Sequence, residues 1–215
     1  METMQPVPFV VLDGDKFVLR PEACEFLARI EGRVSVVAVA GAYRTGKSFI
    51  LNQLTGNSSP KSGFAIGSTV NACTKGLWIW GQREQSSSSD GSTLTTIFID
   101  TEGIGSPDAT LKYDLQIFSF AVLLSSLFIY NGMGTIDESA LDRLSLVAKL
   151  TEAIDAKSEF AAEFPSFLWL LRDFSLQLVD ANGDEMSERE YLEKVRPDLQ
   201  PLSTHGVPRS TVALG

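Results

Sequence analysis

The chain has 215 residues, 44% of them hydrophobic and 21% charged, and a formal net charge of −9. That is the length of one domain or slightly more, with enough apolar material for a sizeable core, so a disordered chain is excluded. The acidic balance excludes an extended nucleic-acid surface, which needs clustered Lys and Arg, but not the binding of a single nucleotide by local donors and a metal ion.

Val7 to Leu12 and Lys16 to Leu19 flank Asp13-Gly14 and read as a hairpin. Pro21 suits the first turn of a short helix reaching about Ile30. Val34 to Ala40 is a valine-rich run interrupted only by Ser35, the pattern of a strand covered on both faces. A glycine-containing turn follows at once, and Ser48 to Leu54 continues as a helix. Gly56 to Thr74 is polar and predicts a mobile loop. Leu77 to Trp80 and Thr95 to Ile99 predict strands, joined by the serine-rich connector Gln85 to Gly91. A helix is expected from about Thr110, giving way to a buried strand at Val122 to Tyr130. Ala140, Leu144, Val147 and Ala148 share one helical face, which predicts a helix over Asp137 to Ala156. Phe167 to Leu171 predicts a last buried strand, ending in Arg172-Asp173. Helices alternating with apolar strands predict an α/β fold, three layers deep, with a mostly parallel central sheet. Ligands of such sheets sit at the carboxyl ends of the strands, where Gly41, Asp100 and Asp173 fall.

Two cysteines, Cys24 and Cys73, form no paired framework, which fits a reducing, cytoplasmic setting. The chain opens on no basic-then-apolar leader. Its most apolar run, Ile117 to Tyr130, holds three serines in 14 residues and falls short of a membrane span, which needs about 20 residues. His205, the only histidine, lies in a polar tail and is not expected to be catalytic.

Four segments carry chemistry. Gly41-Ala42-Tyr43-Arg44-Thr45-Gly46-Lys47-Ser48 sits between a strand and a helix, as a P-loop requires. Its glycines let backbone N–H groups converge on phosphate oxygens, and the helix adds its positive N-terminal end. Lys47 is then placed to reach the β- and γ-phosphates, and Ser48 to ligate Mg²⁺. Asp100-Thr101-Glu102-Gly103 closes a buried strand downstream, where an aspartate can hold Mg²⁺ and Gly103 can turn its N–H to the γ-phosphate. In the loop from Gly67 to Gly76, a hydroxyl is expected to contact metal and phosphate, and spacing does not choose among Ser68, Thr69 and Thr74. Arg172-Asp173 by itself reads as a surface ion pair or helix cap, although an aspartate there can accept two hydrogen bonds from guanine.

Together these segments resemble the GTPase domain of the guanylate-binding protein family, large GTPases of the dynamin superfamily. The resemblance runs from about Val7 to about Val195 and extends to Ala121-Val122-Leu123-Leu124-Ser125-Ser126 and to Leu171 through Leu176. It implies GTP as substrate with Mg²⁺ as cofactor. Arg44, Lys47, Thr74 and Glu102 are the implied catalytic residues: Arg44 as an arginine finger supplied in cis, Glu102 in the network that orients water. Ser48, Thr74 and Asp100 are the implied metal ligands. Besides residues 41–48, the implied nucleotide contacts are Ile66, Gly67, Ser68, Asp100, Thr101, Glu102, Gly103, Ile104, Arg172 and Asp173, the last two as the guanine-specificity pair.

The family also implies a nucleotide-dependent homodimer through the GTPase face and, in longer forms, peripheral membrane association. Ala72 stands where well-known members carry a serine that helps position the attacking water. The family's GTPase domain continues well beyond the Arg172-Asp173 strand, whereas Pro201 to Pro208 shows no strand or helix pattern, so residues 1–199 are expected to be an incomplete GTPase domain, lacking the guanine cap, with an irregular tail over 200–215 and an open sheet edge. Two other readings follow from the same residues: a non-catalytic GTP-binding isoform that modulates full-length partners, and an atlastin-like membrane-shaping GTPase, which would need transmembrane segments.

Overall fold

The computed structural model of the chain describes residues 5–56, 63–66, 75–84, 94–106, 109–136, 138, 139, 141–143, 145, 165–195 and 210–214. The elements are β1 Val7–Asp13, β2 Lys16–Leu19, α1 Pro21–Ala28, β3 Arg33–Gly41, α2 Lys47–Leu54, β4 Leu77–Glu84, β5 Leu94–Thr101, α3 Leu111–Leu123, β6 Leu127–Met133, β7 Ser166–Arg172, α4 Glu188–Val195 and β8 Ser210–Leu214. The eight strands form one sheet in the order β2-β1-β4-β5-β3-β6-β7-β8. β5, β3, β6, β7 and β8 pair in parallel. The β2-β1-β4 side joins them antiparallel. The expected three-layer, mostly parallel α/β architecture is the one observed.

The alternation within β3 explains the layers. Ala38 and Ala40 enter the core shared with Phe26 of α1, Phe118 and Ala121 of α3 and Leu192 of α4. Val37 and Val39 point the other way, with Leu51 of α2, Phe64, Phe98 and Ile129. Both faces of this strand are covered, so neither needs polar residues. On the first face the helices come close because the sheet is kept low. Gly81 has no side chain where Phe26 lies, and a Cβ there would fall 2.4 Å from the Phe26 ring.

Three boundaries differ from expectation. The strand expected at Val122 to Tyr130 begins only at Leu127, because α3 runs on through Leu123. Ile117, Phe118, Ala121 and Val122 are buried with helical spacing, and a continuous apolar run does not show where that spacing gives way to a strand. The turn is made at Ser126, whose hydroxyl accepts from the Val36 N–H at 2.8 Å.

Residues 210–214 fall in the segment expected to be irregular, and they form β8, parallel to β7. Five residues without turn signals are too few to read as a strand alone, but the unpaired backbone of β7 supplies a partner. β8, not β7, is therefore the outer strand on that side. The helix expected over residues 137–156 is helical at 138, 139, 141–143 and 145, and the rest of it lies outside the described residues. Most of the expected loop over 56–74 and the serine-rich connector also lie outside them. No helix among the described residues is long and apolar enough to cross a membrane.

Candidate functional site

β3 is the point where the sheet's connectivity divides, with β5 on one side and β6 on the other. A crevice opens at the carboxyl end of such a strand. Residues 41–48 fill its mouth. Gly41 ends the strand at φ 151, and a Cβ there would lie 2.1 Å from the Asn131 carbonyl oxygen of β6. No other residue fits that approach. On the β5 side, the Tyr43 N–H donates to the Ile104 carbonyl at 2.8 Å, and the Ile104 N–H donates to the Gly41 carbonyl at 3.1 Å. Gly103 passes so near that a Cβ would sit 2.4 Å from Tyr43 Cα. The segments 41–48 and 100–104 are thus laid together by backbone hydrogen bonds and by glycines at the close contacts.

Gly46 takes the left-handed conformation, φ 79, as the residue before α2, so that Lys47 and Ser48 open the helix. Lys47 is buried, and its Nζ donates back to the Ala42 carbonyl at 3.0 Å. Burial pushes its pKa down, while the charges of Asp100 and Glu102 pull it up. An ammonium so desolvated gains strongly from an arriving anion. The Ser48 hydroxyl donates to Asp100 Oδ2 at 2.6 Å, and Asp100 is fully buried.

On the other flank, two side chains converge on one backbone atom. Asn131 Nδ2 donates to the Thr45 carbonyl at 2.8 Å, and Arg172 Nη2 donates to the same oxygen. Arg172 Nε donates to Asn131 Oδ1 at 3.1 Å, closing the triangle. The Thr45 hydroxyl donates to the Ala42 carbonyl at 2.8 Å. The loop is therefore held in its curl from outside and from within. Asn131 was not singled out from the sequence, although one signal for it is visible there: an amide inside the apolar stretch of β6 must find partners if buried, and it is fully buried.

Glu102 is buried and turns its Oε2 to the base of the loop that precedes β4. It accepts from the Gly76 N–H at 3.2 Å and from the Tyr113 hydroxyl at 2.5 Å. Arg44 is exposed at φ 61, its guanidinium 5.9 Å from the Tyr43 ring centre. Asp173 is exposed at φ 53, directly after Arg172. Ile66 is exposed as well. The Thr101 hydroxyl donates to the Val39 carbonyl and so belongs to the sheet. Gly67, Ser68, Thr69, Ala72 and Thr74 lie outside the described residues. The structure therefore brings together Gly41–Ser48, Asp100–Ile104 and Arg172, with Asp173 beside them.

The donor set suits a hard cation. A serine hydroxyl and one carboxylate are oxygen ligands, and Mg²⁺ is commonly held by one or two carboxylates plus substrate phosphates. Among the described residues no cluster of three or more His, Cys, Asp or Glu offers an all-protein cage. Ser48 and Asp100, already 2.6 Å apart, fit the shared kind of site.

The family model "Guanylate-binding protein, N-terminal domain" matches residues 14–201. Human Guanylate-binding protein 7 is 42% identical over 206 residues, 89% of this chain and 31% of that protein. Human Guanylate-binding protein 2 is 40% identical over 202 residues, 87% of this chain and 33% of that protein. Mouse Guanylate-binding protein 6 is 41% identical over 202 residues, 88% and 32% respectively. The chain thus spans about a third of the length of the curated relatives it matches. A solved structure of Methanosarcina barkeri Roco2 RocCORdC bound to GDP is a far looser match, at TM-score 0.40 and 18% identity over 88% of this chain and 47% of that one, too loose to bear on function.

Proposed function

We propose that this chain, which belongs to the guanylate-binding protein family, binds GTP with Mg²⁺ at the carboxyl end of β3 and hydrolyses it to release phosphate. The observation that carries the reading is the pairing of the buried Lys47 ammonium, curled over the loop, with the Ser48 hydroxyl 2.6 Å from Asp100. Incoming phosphate oxygens relieve the desolvation of Lys47, and the N–H groups of the loop and of the α2 terminus surround them. Ser48, Asp100 and Thr74 would hold Mg²⁺, which would supply positive charge to neutralise the phosphates. Glu102 orders the attacking water in line with the γ-phosphate. Arg44, exposed on the rim, stabilises transition-state charge when two copies meet through this face. Asp173 accepts from the N1–H and amino group of guanine, a donor pair that adenine lacks. Arg172 supports that contact while bracing Thr45. We read the chain as acting in the cytoplasm.

Phosphate release by the purified chain tests the reading. Lys47→Ala is expected to lower it at least about a hundredfold, and Arg44→Ala about a thousandfold. Equal release from all three proteins would remove the proposal. A second reading, a GTP-binding module that pairs with longer family members without turnover, is favoured by Ala72, which stands where well-known family members carry a serine that helps position the attacking water. Nucleotide-dependent dimerisation without phosphate release would select it.

A further inference from the structure

Glu102 is met by a side chain from outside every motif described above. Tyr113, in the first turn of α3, donates its hydroxyl proton to Glu102 Oε2 at 2.5 Å. The Gly76 N–H is directed at both Glu102 Oε2, at 3.2 Å, and the Tyr113 hydroxyl oxygen, at 3.1 Å. We propose that Tyr113 is a positioning residue for phosphoryl transfer: its hydroxyl fixes Oε2 of Glu102, so that Oε1 is the oxygen turned to the attacking water. The proposal rests on the GTPase reading above.

The geometry carries it in three ways. Both bonds given to the Glu102 carboxylate fall on the same oxygen, which sets the plane of the group and leaves Oε1 for another partner. The Tyr113 ring is itself held. It stacks on Phe17 of β2 at 5.6 Å, and its backbone N–H donates to the Thr110 hydroxyl at 3.2 Å. The third corner cannot move either. A Cβ on Gly76, φ 74, would lie 2.1 Å from the Val10 carbonyl oxygen, and the Gly76 carbonyl accepts from the Glu102 N–H at 2.9 Å. Burial and the Glu102 charge both push the Tyr113 pKa up, so the phenol remains a donor throughout the neutral range. Position matters here because phosphoryl transfer is catalysed almost entirely by placement and electrostatics.

Tyr113→Phe keeps the ring and removes one oxygen. Steady-state GTP hydrolysis is expected to show kcat lower by about tenfold, the worth of one hydrogen bond to a charged group. KM, GDP affinity by fluorescence titration and Tm should stay at the values of the unchanged protein. In a Glu102→Ala background the same change should cost nothing further, because Tyr113 acts through Glu102. Should Glu102→Ala fail to fold, Glu102→Gln takes its place, and there the Tyr113→Phe loss should shrink. Unchanged kcat overturns the proposal. So does a loss that appears in KM, GDP affinity or Tm, or one that adds in full to the Glu102 variant. If the unchanged chain releases no more phosphate than Lys47→Ala, the GTPase reading itself falls and takes the positioning role with it. That outcome is distinct from an active protein indifferent to Tyr113.

Discussion

On the β5 flank of residues 41–48, the carboxylates of Asp100 and Glu102 meet hydroxyls and an N–H: Ser48, Tyr113 and Gly76. On the β6–β7 flank, Asn131 and Arg172 bond each other and both donate to one backbone carbonyl, that of Thr45. The first flank concentrates negative charge beside a desolvated lysine, so it can hold a cation and order water. On the second, Asn131 and Arg172 brace the loop from behind. On the proposed GTPase reading, the difference separates two tasks of a phosphate site, chemistry and preorganisation, and divides them between opposite neighbours of β3. Preorganised donors act without reorganisation at the moment of reaction, which is why a rigid flank is useful beside a reactive one.

Variants of the bracing flank should act on stability first. Gly41→Ala drives a Cβ to within 2.1 Å of the Asn131 carbonyl oxygen, a backbone atom that cannot step aside. We expect a loss of about 3 kcal/mol or more, read as a lower midpoint in urea unfolding. Asn131→Leu keeps the number of side-chain heavy atoms and the branch at Cγ of a fully buried residue but strips one donor from Thr45 and the acceptor from Arg172 Nε. About 2 kcal/mol should be lost, with a lower Tm in the absence of nucleotide. A nucleotide-free Tm equal to that of the unchanged protein would mean that this flank is not a brace.

Variants of the reactive flank should do the reverse. Ser48→Ala removes the hydroxyl that we propose as an Mg²⁺ ligand, and the Mg²⁺ concentration for half-maximal GTP hydrolysis should rise about tenfold while Tm changes little. If Ser48→Ala lowered Tm as far as Asn131→Leu, the division between the flanks would fail.

The smallest effect belongs to Asp114, one turn of chain behind the site. Its Oδ2 accepts from the Gly105 N–H at 2.8 Å, and burial pushes its carboxyl pKa up despite that bond and the nearby Arg143. The folded state thus binds the proton more tightly than the unfolded chain. The stabilising contribution is complete below the ordinary value of 3.8 and is lost as pH rises through the folded value. Asp114→Asn keeps an acceptor for Gly105 and removes the titration. It should slightly raise stability at neutral pH and flatten the pH dependence above 3.8, measured by urea unfolding at acidic and neutral pH. A variant less stable at neutral pH than the original would show that the carboxylate charge itself is needed there.

What was legible in the sequence was what lies close together along it. Residues 41–48 carry their own turn glycines, the valine run before them declares a strand covered on both faces, and Asp100 to Gly103 closes another strand. Local backbone chemistry determines such features, so the α/β class and the strand-turn-helix around residues 41–48 follow without tertiary information. The tertiary structure decided the rest, because the partners are far apart in the chain. Asn131 and Arg172 are 41 positions from each other and meet at Thr45 only because β6 and β7 pair in register beside β3. Tyr113 reaches Glu102 only because α3 crosses the sheet above β5. The end of α3 and the strand at Ser210–Leu214 were likewise set by neighbours, a helix face finding its core and a free strand edge finding a partner. Short apolar segments are compatible with either helix or strand, and long-range hydrogen bonding, which no local window contains, makes the choice.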